Sequence, residues 1–417
     1  MAFRQQNQGQ PLIAEQGAIA VPQPTDAVLG QTIAAPDHGL VLGGIPALEH
    51  RLHDPDPHQR RQAVTAAMYY GGDRPLTPQD PGVALVIRAL LDESSVVQRT
   101  AYRLLRDQPN PKIQRLLGTF LPYALFDCLC RIPVGAAPSL SPTGQAIAYQ
   151  RGHHVIVQEL ATRRILLKIP RLDHHPERYA LGNQGQLLVR LIDGEHNRLE
   201  VWQGGELTQQ LYSHHHHRIR CLALAPAAPY LVTGTVTGQL QRWDLRSGTV
   251  QQTTNPQGPS SRRQGAIALT VSSDARLIVS SHRNHTVQLW YPQHRRRPAV
   301  LPCHATTLAL SPDRHILATA HWANEITLWN LRQNAPLGRL RSLSIGRADQ
   351  LVFSPSGRIL ASSDRTGTIR FWDIYQGDCL HTLHTQDSPI TQLIFAAQGH
   401  ALLSCHGDQH IRLWAVP

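Results

Sequence analysis

From residue 123 onward the apolar positions come in short alternating runs, broken repeatedly by Gly, Pro, Asn, Asp or Ser. Period-two alternation predicts strands with one face buried. The segments LEVWQ, LQRWDL, VQLWYP, ITLWNL, IRFWDI and IRLWAV align on Trp202, Trp243, Trp290, Trp329, Trp372 and Trp414. Their spacings are 41, 47, 39, 43 and 42 residues. An earlier copy, VIVQEL, carries Gln158 in the tryptophan place, 44 residues before Trp202. Each copy has an upstream turn (SPTG, GNQG, APAA, SSDA, SPDR, SPSG, AAQG), two β-like runs before the tryptophan and one after it.

Residues 45–122 carry a different period. PALEHRLHDPDPHQRRQAVTAAMYYGG places Ala63, Ala66, Ala67 and Tyr70 on one side of a helix. Pro57 can start that helix and Gly71-Gly72 can stop it. In VALVIRALLDESSVVQRTAYRLLRD, Ser94 or Ser95 can cap a second helix whose stripe is Val97, Ala101, Leu104 and Leu105. Through HDPDPHQRRQAVTAA and LDESSVVQRTAYRLL this region resembles HEAT-type helical repeats. Residues 1–44, rich in Gln, Pro, Gly and Ala without periodicity, are expected to be disordered or loosely tethered.

Four short strands per copy, repeated seven times, is the pattern of a β-propeller blade. The expected fold is therefore mainly β: a seven-bladed propeller of four-stranded antiparallel blades over 123–417, preceded by the small helical region. The RFWD and RWD endings with upstream SPxG turns resemble WD-repeats. The last copy stops three residues after Trp414, so LFDCLCRIP, residues 125–133, is expected to supply the outer strand of blade 7 and close the ring. Closure removes open sheet edges.

Charge singles out the repeat region. Residues 1–122 hold 11 acids and 11 Lys+Arg, whereas 123–417 hold 18 and 29, so the formal charge of +11 resides in the repeats. Lys112 and Lys168 are the only lysines, and the guanidinium fork of arginine suits carboxylate and phosphate. An acidic partner is expected. No apolar run is long enough for a spanning helix, and the N-terminus lacks the build of a signal peptide, which suggests a cytoplasmic protein. The six cysteines, without a CxxC pair, read as reduced thiols, and Cys128 and Cys130 as small buried hydrophobes. GxSxG, phosphate-cradling and HExxH motifs are absent, and neither catalysis, a cofactor nor a metal is expected.

The WD-repeat resemblance implies an internal set of loop His, strand Ser, turn Asp and Trp. With Ser placed eight residues before the Trp, three blades hold His282, His321 and His406 instead, and only Asp408 keeps the turn Asp. The set thus reads as eroded, leaving the blades to apolar packing. The three histidines read as local repair, or else as a titratable ring that makes the propeller pH-responsive. His214-His215-His216-His217 reads as a solvated loop, with metal binding as the alternative.

The resemblance further implies that residues seven before the Trp face a surface used for partners. These include Arg151, Arg283, Trp322 and Arg365, and neighbouring loops add Arg218, Arg262, Arg263 and Arg347. Trp322 is the one tryptophan the repeat does not require, and Trp beside Arg is a hot-spot composition. The expected function is a protein-interaction scaffold that docks an acidic partner on this basic face. Nucleic-acid binding is the alternative, with few aromatics available to stack on bases.

Overall fold

The structure, a computed structural model, describes residues 44–71, 76–120, 122–172, 177–192, 197–212, 218–254, 265–293, 298–321, 325–341, 347–385 and 388–417. Two compact units, 1–121 and 122–417, divide the chain.

The first unit contains five helices among its described residues: α1 (Gly44–Arg51), α2 (Pro57–Met68), α3 (Pro81–Arg88), α4 (Ser95–Arg106) and α5 (Pro111–Thr119). The Asp56 carboxylate accepts from His58 N and caps α2, with Pro57 in its first turn. Arg60 donates Nε and Nη2 to Asp92 at 2.9 and 3.0 Å, a fork that ties α2 to the turn before α4. A Cβ on Gly82 would meet the Ala67 carbonyl oxygen at 2.0 Å, so α2 and α3 approach as closely as they do because position 82 lacks one. Ala63, Val64, Ala67, Val97, Ala101, Tyr102 and Leu105 form the buried face, while Leu104 is only half-buried.

In the second unit the described residues form seven antiparallel sheets of four strands. This is a seven-bladed β-propeller. Blades 1 to 6 span 136–170, 177–212, 219–254, 266–301, 307–340 and 348–384. Blade 7 takes three strands from 390–415, and Asp127–Pro133 pairs antiparallel with His410–Ala415 as its fourth. The first strands of successive blades touch one another around the ring and line its centre. Just before the closing strand, the Tyr123 ring stacks on Phe371 of blade 6 (4.7 Å, 19°) and meets Phe395 of blade 7 at 6.0 Å. Phe126 sets its edge to both Tyr123 and Phe371.

Buried Trp243, Trp290, Trp329, Trp372 and Trp414 and half-buried Trp202 occupy matching places on the third strands. Their hydrogen bonds correct the reading of an eroded set. Indole Nε1 of Trp243, Trp329, Trp372 and Trp414 donates to Thr233, Thr319, Ser362 and Ser404 at 2.9–3.1 Å. These hydroxyls stand ten residues before the tryptophan, not eight. The register dictates this. Trp243 pairs with Leu231, and the next residue on that face of the strand is Thr233. Position minus eight is one pleat further along the same face, where His406 and His282 take the role of the loop histidine. Their Nε2 atoms lie 2.7 and 2.8 Å from Ser404 and Ser280. In blade 7 the relay runs from Trp414 through Ser404 and His406 to Arg412, which donates to Asp408 at 2.7 Å. In blade 5 the Thr319 hydroxyl accepts from Trp329 and donates to the Thr327 carbonyl at 3.3 Å. In blade 2 the indole of Trp202 donates to Glu200, itself paired with buried Arg190.

All six cysteines are free thiols. Cys128 is exposed and Cys130 half-buried, contrary to the expected buried pair, because a bulge between them breaks the alternation of the closing strand. Burial pushes the thiols of Cys221 and Cys405 up to about 12, far from nucleophilic thiolate.

Candidate interaction face

In blade 6 the first strand starts beside the end of the second (Ala348 with Asp364), and the third starts beside the end of the fourth (Thr368 with His384). The turns between second and third strands therefore open on the same side as the loops into the next blade. That side is called the upper face here. The other turns open on the lower face.

Five of the eight arginine and tryptophan positions proposed from sequence are described, and all five lie on the upper face. Trp322, Arg262 and Arg263 lie outside the described residues, as does the run His214–His217. Arg151 is exposed at the end of the second strand of blade 1. With Arg171, Tyr149, Gln150 and Gln409 it lines a cleft of about 500 Å³. Arg218 precedes the first strand of blade 3, where its carbonyl accepts from Val236 N at 2.9 Å. Arg283 is exposed in a turn of blade 4.

Arg347 and Arg365 differ from these. Both reach Asp349, at 3.4 and 2.9 Å, so one carboxylate neutralises part of their charge. Glu325 does the same for Arg339 and Arg341, each at 3.2 Å. Blades 5 and 6 thus carry partly neutralised clusters on the upper face.

Blades 2 to 4 carry the opposite arrangement. Arg178 and Arg220 sit near the upper ends of adjacent first strands, and Arg178 Nη1 donates to the Arg220 carbonyl. Burial, then Arg283, then Arg178 lower the affinity of the Arg220 guanidinium for its proton. Among the described residues no carboxylate pairs with Arg178, Arg220 or Arg283. Three like charges gathered with no counter-ion among the described residues make a local positive field. Arg178 and Arg220 were not singled out from sequence, although ERYAL and IRCLAL place Arg second in both first strands. That repetition was the available signal.

Between blades 4 and 6 the face is imidazole-rich. The rings of His285 and His304 are 4.6 Å apart. Burial, then His285, His321 and Arg347, depress the pKa of His304. No group of three or more metal-ligating side chains forms among the described residues. No helix among them is long and apolar enough to cross a membrane.

Two family models match the repeats: the WD domain, G-beta repeat over residues 205–244, and the anaphase-promoting complex subunit 4 WD40 domain over 308–398. The propeller is built of WD repeats. Transducin beta-like protein 3 of Bos taurus is 23% identical over 304 residues, 67% of this chain and 37% of that protein. WD repeat-containing protein srw1 of Schizosaccharomyces pombe is 26% identical over 57% of this chain and 45% of its own. Protein groucho of Drosophila melanogaster is 25% identical, over 58% and 32%. The chain thus spans less than half the length of these relatives. A chain from a crystal structure of the mitotic checkpoint complex superposes with a TM-score of 0.58 at 16% identity, covering 69% of this chain and 91% of that one. At that identity it shows the fold alone. Within this WD-repeat ring the upper face is uneven: one carboxylate serves two arginines on each of blades 5 and 6, whereas Arg178, Arg220 and Arg283 on blades 2 to 4 have none among the described residues.

Proposed function

We propose that this WD-repeat propeller is a non-catalytic scaffold that docks an acidic protein surface on its upper face, centred on blades 2 to 4. The observation that carries this reading is the set Arg178, Arg220 and Arg283, close together and without a carboxylate partner among the described residues. Planar guanidinium forks suit carboxylates in pairs. Arg218 and Arg151 extend the same face, and Trp322, Arg262 and Arg263 are assigned to its loops from the repeat pattern. Arg347 and Arg365 contribute less, because binding there competes with Asp349. The helical unit, read as HEAT-like, supplies a second contact.

The test compares affinity purification from the native cell for the wild type, the double variant Arg178→Glu and Arg283→Glu, and the control Arg365→Glu. The expected outcome is loss of the same captured proteins in the double variant alone, with all three melting alike. Unchanged capture by the double variant would place the working surface elsewhere.

A further inference from the structure

The tryptophans show how the seams between blades are filled. Trp202 packs on an apolar cluster that includes Val157 of blade 1, and Trp243, Trp329 and Trp372 belong to clusters shared with Val189 of blade 2, Leu289 of blade 4 and Leu328 of blade 5. Each indole closes the seam with the preceding blade, at the lower end of the third strand. Blade 1 has Gln158 there. Gln158 pairs with Ile147 as Trp243 pairs with Leu231 and Trp372 with Leu360, so it stands in the indole position of the seam between blades 7 and 1. Its amide turns away to other partners. Tyr149 Oη donates to its Oε1 at 3.0 Å, and its Nε2 donates to the Arg163 carbonyl at 2.6 Å.

The lower side of this seam is open, as a groove of about 1340 Å³. The floor is one face of blade 7, where Cys130, Leu413 and Leu403 are successive cross-strand neighbours. Leu160 and Leu166 form the facing wall. Exposed Gln145, Gln186 and Gln398 ring it with amides that can both donate and accept. Arg163 and Arg164 are exposed at its edge and have no ion pair among the described residues, whereas Glu159 is engaged by Thr162. The backbone bounding the groove is unusual as well. Ala397 and Gln398 are consecutive non-glycine residues with φ of 47° and 56°. Left-handed backbone without glycine is costly and collects at ligand sites.

We propose that this groove docks an extended acidic peptide segment of a partner protein, which inserts an aromatic side chain where the other blades use their own tryptophan. Small-molecule pockets run to roughly 1,000 Å³, and this groove is larger, longer and open, as a peptide requires. The apolar floor lies in the seam where Gln158 stands in place of an indole, and it calls for a large flat side chain. The glutamine amides pair with peptide backbone whatever its sequence, and the two arginines select carboxylates. The site lies on the lower face, so it stands or falls independently of the upper-face reading.

The experiment measures anisotropy of a fluorescein-labelled hexapeptide, Glu-Asp-Trp-Leu-Glu-Asp, and of its Ala-for-Trp version, with the full chain. The wild type should bind the Trp peptide about tenfold more tightly, the scale of one buried aromatic anchor. Gln158→Trp fills the seam from within. It should abolish binding while melting at or above the wild-type temperature. The double variant Arg163→Glu and Arg164→Glu, both exposed and safe for folding, should weaken binding about tenfold. Equal affinity for the two peptides overturns the proposal. So does undiminished binding by Gln158→Trp or, where that variant does not fold, by the double arginine variant.

Discussion

His406 is held neutral by its surroundings. Burial disfavours its charged form, the Arg412 guanidinium 2.6 Å from Nδ1 adds repulsion, and together they push its pKa down to about 4. The Arg412 donor at 2.6 Å lies closer to Nδ1 than the Ser388 carbonyl at 3.4 Å, which favours the tautomer whose proton sits on Nε2 and points at Ser404. In the unfolded chain the same imidazole titrates near its ordinary value of about 6.5. The unfolded state therefore binds more protons between about pH 6.5 and 4, and the native state loses stability as pH falls through that window. The loss from this group is at most about 3 kcal/mol. Melting temperature against pH should fall across it in the wild type and flatten in His406→Gln. A variant with the same slope would show that other groups cause the acid loss. The tryptophan positions were legible because their repeat is regular. Their hydroxyl partners were misplaced by two residues, because the hairpin register that sets the offset of ten exists only between paired strands. The arginine pair Arg178 and Arg220 was missed for a related reason, since a linear reading does not show that two first strands 42 residues apart lie side by side.

The closing segment shows what an element adds to its residues. LFDCLCRIP alternates well enough to be read as a strand, and the structure pairs Asp127–Pro133 with the third strand of blade 7. The aromatic plug before it was not legible. Tyr123, Phe371 and Phe395 lie far apart in sequence and meet only once the ring has formed. Stacked and edge-to-face rings add to the pairing of the strand and fix where it enters. Tyr123→Ala should cost about 3 kcal/mol, as expected for a large aromatic truncated in a packed cluster, and should be read from denaturant unfolding. Removing residues 122–133 should give an insoluble or loosened propeller. Cooperative melting unchanged by that truncation would show that the ring does not depend on its closure.

At the scale of the whole molecule the charge has an address. The excess of +11 belongs to 123–417, and on the upper face of the propeller Asp349 and Glu325 each offset part of the charge of two arginines on blades 6 and 5, whereas Arg178, Arg220 and Arg283 on blades 2 to 4 have no such carboxylate among the described residues. Exposed charges are screened over about 10 Å at 0.1 M salt. Affinity for an acidic partner should therefore fall about tenfold or more between low and moderately high salt, chiefly through slower association. Titrations across a salt series check this, and a flat response would mean that apolar contacts dominate. The seven-fold architecture was plain from spacing alone, whereas the uneven face was not, because net charge does not reveal which arginines share a carboxylate.

The pairing of Asp127–Pro133 with His410–Ala415 also sets the order of events at synthesis. The strand made first in the propeller waits for the strand made last. Until residues 410–415 have left the ribosome, six blades can stack but two sheet edges stay bare, ready to pair with neighbouring chains. The same hydrogen bonds that give the finished ring no open end make its birth slow and dependent on protection, by a chaperone or by dilution.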